Sequence, residues 1–406
     1  MRLIHLANFN STNVGNGALI SGTEESISND IPSLYLLPES WDDYTFGLKK
    51  FDENFVKMVN VSDGLLIGAA VTFNGQKYQT KTGTRIELPL DLWDKIIKPV
   101  IFYGVSFRHW KNQKYNNLNA FRKTFGLILN KENFLISVRN DGTLEWLEKI
   151  LDRKLSEKVY VIPDPAIYVK TEDRSHPEIH KDKKNIILSL NNEDEVYRFS
   201  GRNRELLWPL MSFWIPEKSM CKIWRSIPGW DRKRTVFLKN LSGALEMLSK
   251  EMDINVILAP HYFDDFKIIS RFIPMTPLRF PHQVLISTGM ARANQSSYFY
   301  DLYKKADLSL SMRVHSMSPS IGLGTPTIAL TSQSRMTEFL KDSGLETIGL
   351  DIFDELLANK LYEKMKYNLD SSDIARQNLV NTVSRLRART KNFHIDVLLP
   401  FLKRHK

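Results

Sequence analysis

Short β-rich apolar runs alternate along this chain with amphipathic stretches of roughly 10 to 15 residues, a rhythm that restricts it to parallel sheets flanked by helices. The runs fall into two sets. The first comprises Leu3–Ala7, Gly64–Gly68, Val100–Val105, Phe134–Val138 and Val159–Ile162, with helical patterns between them such as Asn116–Leu129 and Gly142–Leu151. It closes at the rigid turn Pro163, Asp164 and Pro165. The second comprises Asn185–Leu190, Asn255–Ala259, Asp307–Leu310, Thr327–Leu330 and Thr347–Leu350, with helices expected over Thr235–Glu251, Ser297–Lys305 and Ser334–Lys341. Between the sets lies a polar, apolar-poor stretch, Lys170–Lys184, which reads as a linker. The expected fold is α/β, with two Rossmann-like doubly wound domains facing a cleft at 1–175 and 183–370, followed by a helical basic tail at 371–406.

Composition excludes several classes. Cys221 is the only cysteine, so no intramolecular disulfide, cysteine zinc site or iron–sulfur cluster can form, and a reducing compartment is expected. The start of the chain is too short in apolar residues and too polar for a signal-peptide core, and the most apolar stretch, Val59–Phe73, contains Asp63 and reads as a buried strand rather than a membrane span. A cytoplasmic protein follows, with peripheral contact at the inner membrane face left open. The formal charge of +10, from 56 Lys and Arg against 46 Asp and Glu, favours anionic partners. Its basic clusters are short and scattered, unlike a nucleic-acid footprint.

One segment breaks the rhythm. Residues 191–234 carry four of the eight tryptophans (Trp208, Trp214, Trp224 and Trp230) among polar residues and Pro209, Pro216 and Pro228. A loop packing its own aromatics as a satellite core, a platform for sugar rings and a membrane-surface patch are all compatible with it.

Ligands of doubly wound sheets sit beyond the carboxyl ends of strands, so the candidate residues are sought there. After the first strand comes a turn containing Asn13, Gly15, Asn16 and Gly17, which lets backbone N–H groups approach an anion or a hydroxyl at a helix start. Arg139 ends another strand, where a buried charge needs a partner or ligand. The sharpest signal is the run Ser311, Met312, Arg313, Val314, His315 and Ser316, an apolar strand entering a helix closed by Gly324 and Pro326. There an arginine, a titratable histidine and a helix dipole can together hold a phosphate or carboxylate and move a proton. His261 follows a further strand, and Arg198, Arg202 and Arg204 could add phosphate contacts.

In their order these segments resemble the polysaccharide pyruvyl transferase family. The matching stretches are Asn13–Leu19, Asp63–Gly68, Pro99–Gly104, Ser137–Arg139, Pro163–Ala166, Ala259–His261 and Ser311–His315 with Gly324–Pro326, running from about residue 8 to about residue 345. Ala69 stands where the family tends to have the second glycine of a triplet, Asn140 where an Asp usually follows the Arg, and Asn191 where a strand often ends in Arg. The resemblance implies a GT-B-like fold and transfer of the enolpyruvyl carbons of phosphoenolpyruvate to two sugar hydroxyls, giving a pyruvate ketal on a surface or extracellular polysaccharide or its precursor. It makes Arg313 and His315 the catalytic candidates, with Asn13, Gly15, Asn16, Arg139, His261, Ser311 and Ser316 as substrate-binding ones. No metal or cofactor is then obligatory. The partners would be phosphoenolpyruvate and a sugar or oligosaccharide acceptor, free or lipid-linked. Two other readings stay open on the same residues: a glycosyltransferase binding a nucleotide-sugar diphosphate, and a non-catalytic glycan-binding protein.

Overall fold

The computed structural model describes residues 1–73, 80–108, 110, 113, 115–200, 202–278 and 293–405. Its first sheet is built from β1 (Arg2–Ala7), β2 (Tyr35–Ser40), β3 (Leu65–Ile67), β4 (Val71–Phe73), β5 (Val100–Phe107), β6 (Phe134–Arg139) and β7 (Val159–Ile162), in the order β2-β1-β3-β5-β6-β7 with β4 also pairing β5. The second holds β8 (Lys184–Ser189), β9 (Ile254–Leu258), β10 (Leu308–Ser311), β11 (Thr327–Thr331) and β12 (Gly349–Asp351), in the order β12-β11-β10-β8-β9. Every pairing is parallel. In each sheet the chain first moves to one side and then returns to build the other, so the direction reverses beside β1 and beside β8.

Parallel strands covered by helices on both faces must be apolar throughout, and β5 is buried at all eight positions. Helices seal one face of each sheet, through Phe55, Trp93, Phe121 and Phe125 in the first and Phe237, Leu241 and Leu245 in the second. The other face of the first sheet is covered from far away in the sequence. Phe393, Leu398, Phe401 and Leu402, from the end of the chain, pack with Leu3, Ile27 and Tyr103. The end of the tail is therefore part of the first domain's core, whereas Leu379 and Val383 earlier in it pack with Met317 and Phe339 of the second.

Two helices join the halves. α1 (Val14–Asp30) puts Val14, Ala18 and Leu19 against Phe299, Tyr300 and Tyr303 of α2 (Ala293–Lys305). α3 (Val314–Gly322) crosses close to the turn Pro165–Tyr168, and a Cβ at Gly322 would lie 2.2 Å from the Ile167 carbonyl oxygen, so only glycine permits this approach.

Three expectations are corrected. Val59–Phe73 is not one strand: a helix ends at Val61, and β3 and β4 follow separately. An edge strand, β2, was not anticipated, because Pro38 and exposed Tyr35 and Leu37 hide it from the apolar pattern. The tryptophan-rich insertion is helical, with helices at Glu195–Phe199, Arg202–Met211 and Glu217–Ser226. Trp208 and Trp224 are buried in its satellite core and Trp230 packs at its side, whereas Trp214 is 88% exposed.

Candidate functional site

Both places where a sheet reverses direction open into one cleft of about 310 Å³ between the domains. Its walls include the loop after β1 (Asn10–Asn13 with Asn16), the loop after β8 (Asn191 and Glu193) and the start of α3 (Arg313–His315). Arg85, Arg108 and Arg335 add three further cations.

Two helix N-termini meet here. Asn13 caps α1 by accepting from the Gly15 N–H at 3.0 Å, and Asn16 donates to the Ser11 hydroxyl at 2.7 Å. Arg313 caps α3, with the Ser316 hydroxyl accepting from the Arg313 N–H at 3.3 Å and donating to its carbonyl at 3.0 Å. Gly15 lies directly on His315, since a Cβ there would fall 2.7 Å from the histidine Cβ and 3.1 Å from Nδ1. Converging helix starts present N–H groups and positive potential to an anion.

His315 is the centre of the arrangement. Its Nε2 lies 2.6 Å from Arg139 Nη1 and 3.6 Å from Asp164 Oδ2, and Arg139 in turn donates to Asp164 at 3.1 Å. The imidazole comes from the second domain and its clamp from the first. An arginine can only donate, so Nε2 is the acceptor in that contact and a neutral ring carries its proton on Nδ1, the atom beside Gly15. Burial pulls the His315 pKa below the usual histidine range; Asp164 opposes the shift, and Arg139 and Arg335 add to it. Burial would push Asp164 up, but His315, which faces it, and the charge of Arg139 outweigh it and hold the carboxyl well below its ordinary range.

Around this triad run further pairs. Arg335 donates to Asp141 through Nε at 2.9 Å, and Arg313 grips fully buried Asp265 through Nε at 3.1 Å and Nη2 at 2.5 Å. Arg313 also reaches Glu193 at 3.2 Å, and Arg108 reaches the same carboxylate at 2.7 Å. Behind them Arg198 is buried with neutral hydrogen-bond partners, the Ser332 hydroxyl and the Glu193 carbonyl. Burial and then the neighbouring Arg313 and Arg108 draw its pKa down to about 9, a mark of crowded positive charge.

The sequence candidates divide accordingly. Asn13, Asn16, Arg313 and His315 line the cleft, and Gly15 backs His315. Arg139 is fully buried beneath His315 and acts on the cleft through it. His261, Ser311 and Ser316, expected as substrate contacts, are not among the residues that line the cleft. His261 is fully buried against Phe299 and Tyr300, its Nε2 2.7 Å from the Tyr303 hydroxyl, while its carbonyl accepts from the Val14 N–H at 3.0 Å. Ser311 is spent on Ser309 at 2.8 Å and Ser316 on the α3 cap. Arg204 stacks over Tyr197 and Trp208 in the satellite core, and the Arg202 side chain lies outside the described residues. Sequence reasoning missed Arg108, Arg335, Arg85 and Glu193. Arg108 directly follows β5, a position of the same kind as Arg139 and Arg313.

The departures have physical readings. Asn140 donates to Asp342 at 2.8 Å and accepts from the Asp164 N–H at 3.0 Å, a pair of roles an ionised Asp could not fill. At Gly68 a Cβ would meet His5 Nε2 at 2.6 Å, whereas Ala69 and Ala70 pack as buried methyls.

The fold is shared with solved sugar-nucleotide enzymes of the GT-B type. A UDP-N-acetylglucosamine 2-epimerase from Neisseria meningitidis, solved with UDP-GlcNAc, is 11% identical with a TM-score of 0.50, over 98% of this chain and 100% of that one. A putative enzyme of the same name from Listeria monocytogenes is 10% identical with a TM-score of 0.50, over 98% and 97% of the two chains. A trehalose-6-phosphate synthase is 10% identical, again with a TM-score of 0.50, over 99% of both chains. No curated protein matches the sequence. The family model of the polysaccharide pyruvyl transferases matches residues 13–334, a span that begins at the cap of α1, contains Arg139, Asp164, Arg313 and His315, and ends at the first residue of the helix that carries Arg335; the chain belongs to that family.

Proposed function

We propose that this enzyme transfers the enolpyruvyl carbons of phosphoenolpyruvate to two hydroxyls of a sugar, forming a pyruvate ketal on a polysaccharide or its precursor and releasing phosphate. The observation that carries the proposal is the clamped imidazole: His315, held by Arg139 and Asp164 across the domain seam, faces a cleft lined by arginines and two helix N-termini. The donor brings a carboxylate and a phosphate, for which Arg85, Arg108, Arg313, Arg335 and the helix starts offer complementary charge.

The chemistry requires a proton on the donor's methylene carbon and removal of two hydroxyl protons. Once Nε2 of neutral His315 exchanges its contact with Arg139 for one with the substrate, it accepts the proton of the first hydroxyl and passes it to the methylene, which becomes a methyl group while the hydroxyl oxygen bonds to C2. A bound phosphate dianion raises the proton affinity of the ring, and the cationic surroundings stabilise the charge left on the phosphate. The bond from C2 to the phosphate oxygen then breaks, the second hydroxyl oxygen closes the ketal on C2, and its proton leaves on the phosphate.

Calorimetric titration tests this without an acceptor. Phosphoenolpyruvate should bind the purified protein while uridine, guanosine and cytidine diphosphates do not, and His315→Ala should lose the signal. Binding of a nucleotide in place of phosphoenolpyruvate would refute the reading and point to glycosyl transfer.

A further inference from the structure

The helical insertion has two faces of opposite character. Its inner face packs Trp208, Met220 and Trp224 with Val196, Tyr197 and Trp110, the Trp208 and Trp224 rings 6.0 Å apart. The outer face should be polar in a protein that meets only water. Instead Leu206, Leu207 and Leu210 are 63, 49 and 66% exposed, and Phe213 and Trp214, in the turn after that helix, are 77 and 88% exposed. These positions follow helical spacing away from buried Trp208, so their exposure is a property of the folded helix. Single exposed apolar residues are ordinary; five within nine positions, ending in a phenylalanine and a tryptophan, are not.

Charge identifies the occupant. Between residues 202 and 239 there are nine Lys and Arg against three Asp and Glu. Lys218, Lys222 and Arg232 are exposed and Arg225 pairs with Glu195 at 2.8 Å, whereas Glu217 is turned inward to Gln113 and Tyr197, and Asp231 to Arg234 and Arg271. Apolar side chains and an interfacial aromatic beside lysines form the pattern of a segment lying in an anionic lipid headgroup layer. A second copy of the chain fits less well, because a two-fold contact would bring the same cations together. Among the described residues no helix is long and apolar enough to cross a membrane, so contact through this face would be peripheral.

The surface is also coupled to the cleft. Trp110 of the satellite core donates its indole N–H to Asp194 at 2.9 Å, and the adjoining Glu193 lines the cleft and pairs with Arg313. We infer that the 202–227 helical pair is a membrane-docking element that seats the enzyme on an anionic bilayer with the cleft alongside. Only the corollary that the acceptor arrives on a lipid carrier rests on the pyruvyl-transfer reading; docking itself needs neither donor nor acceptor, so the two can fail separately.

Flotation of the full chain with vesicles of about three parts phosphatidylcholine to one part phosphatidylglycerol, beside pure phosphatidylcholine, tests the inference. The wild type should float with the anionic vesicles and remain at the bottom with the neutral ones. Phe213→Ser with Trp214→Ser, and separately Lys218→Glu with Lys222→Glu, should each weaken partitioning by about tenfold or more, with wild-type melting curves because all four side chains are exposed. Failure of the wild type to float, equal flotation of the variants, or sedimentation as a dimer that Trp214→Ser dissolves without any flotation would each overturn it.

Discussion

The contact between Gly15 and His315 allows a test in which one methyl group is set against the placement of one imidazole. In Gly15→Ala the new Cβ would sit 2.7 Å from the histidine Cβ, where ordinary contacts begin near 3.4 Å, so about 0.7 Å of separation must be found. The obstructing atom lies at the root of a side chain in the first turn of α3, so relief moves the whole ring. A misplacement of about 1 Å costs roughly a hundredfold in rate, and 0.7 Å therefore costs between about tenfold and a hundredfold, or about 1.4–2.7 kcal/mol of transition-state stabilisation. Folding should change little, because alanine is favoured over glycine in a helix by up to about 1 kcal/mol and offsets part of the strain. The assay is phosphate release from phosphoenolpyruvate with acceptor present, beside thermal unfolding. Gly243→Ala supplies the control, a helical glycine with open space around its added methyl. Activity of Gly15→Ala within twofold of wild type would refute the reasoning.

His315→Ala leaves the Arg139–Asp164 pair in place, so the protein should melt normally while turnover falls by about 10²–10⁴-fold, the range of a lost general acid–base group; normal turnover in the purified variant would remove His315 from the chemistry. Arg313→Ala should do more than weaken donor binding, because it strips the counter-charge from fully buried Asp265 and leaves it only backbone N–H donors; a loss of about 3–5 kcal/mol in chemical denaturation is expected, and unchanged stability would contradict the buried pairing. Acid should destabilise the fold from the histidine range downward. His261, His315 and His394 all have pKa values lowered by burial, so below about pH 6.5 the unfolded chain takes up protons the folded one refuses, and stability falls as pH drops from that point. A urea midpoint equal at about pH 7.5 and pH 5.5 would count against it.

What could be read from residues alone follows the physics of each signal. β5 and the strand entering Arg313 were legible because strands covered on both faces need uninterrupted apolar runs. β2 was not, since an edge strand has one free flank and tolerates Pro38. Arg313 and His315 were legible as charges at a strand–helix junction. The role of Arg139 was only half legible: its burial could be expected from its strand, but its partner lies 176 residues away on the other domain, and no local pattern encodes that meeting. Pairs such as Arg335 with Asp141, 194 residues apart, were hidden for the same reason. His261 misled because a strand end marks the right rim of the sheet without saying which way a side chain turns. There the aromatic rings of α2 took it inward.

The charges of the seam explain why the chemistry converges on so few atoms. Arg139 has no exposure and requires a carboxylate, which Asp164 supplies; Asp164 is equally buried and stays ionised beside Arg139, the Ala166 N–H and His315. Asp141, also buried, needs Arg335. Followed outward, each demand for a counter-charge is met by a group nearer the cleft, until the chain reaches His315 and Arg335, whose side chains are 18 and 11% exposed. Those two present to a ligand the residual imbalance of a network whose other members are sealed from water. One of them carries a titratable ring and the other a permanent charge, which in the proposed reaction would separate the task of moving protons from that of holding an anion. The buried members act on a substrate only through these two, so substitutions at Arg139 or Asp164 should register as altered proton affinity of His315 before they register as lost contacts.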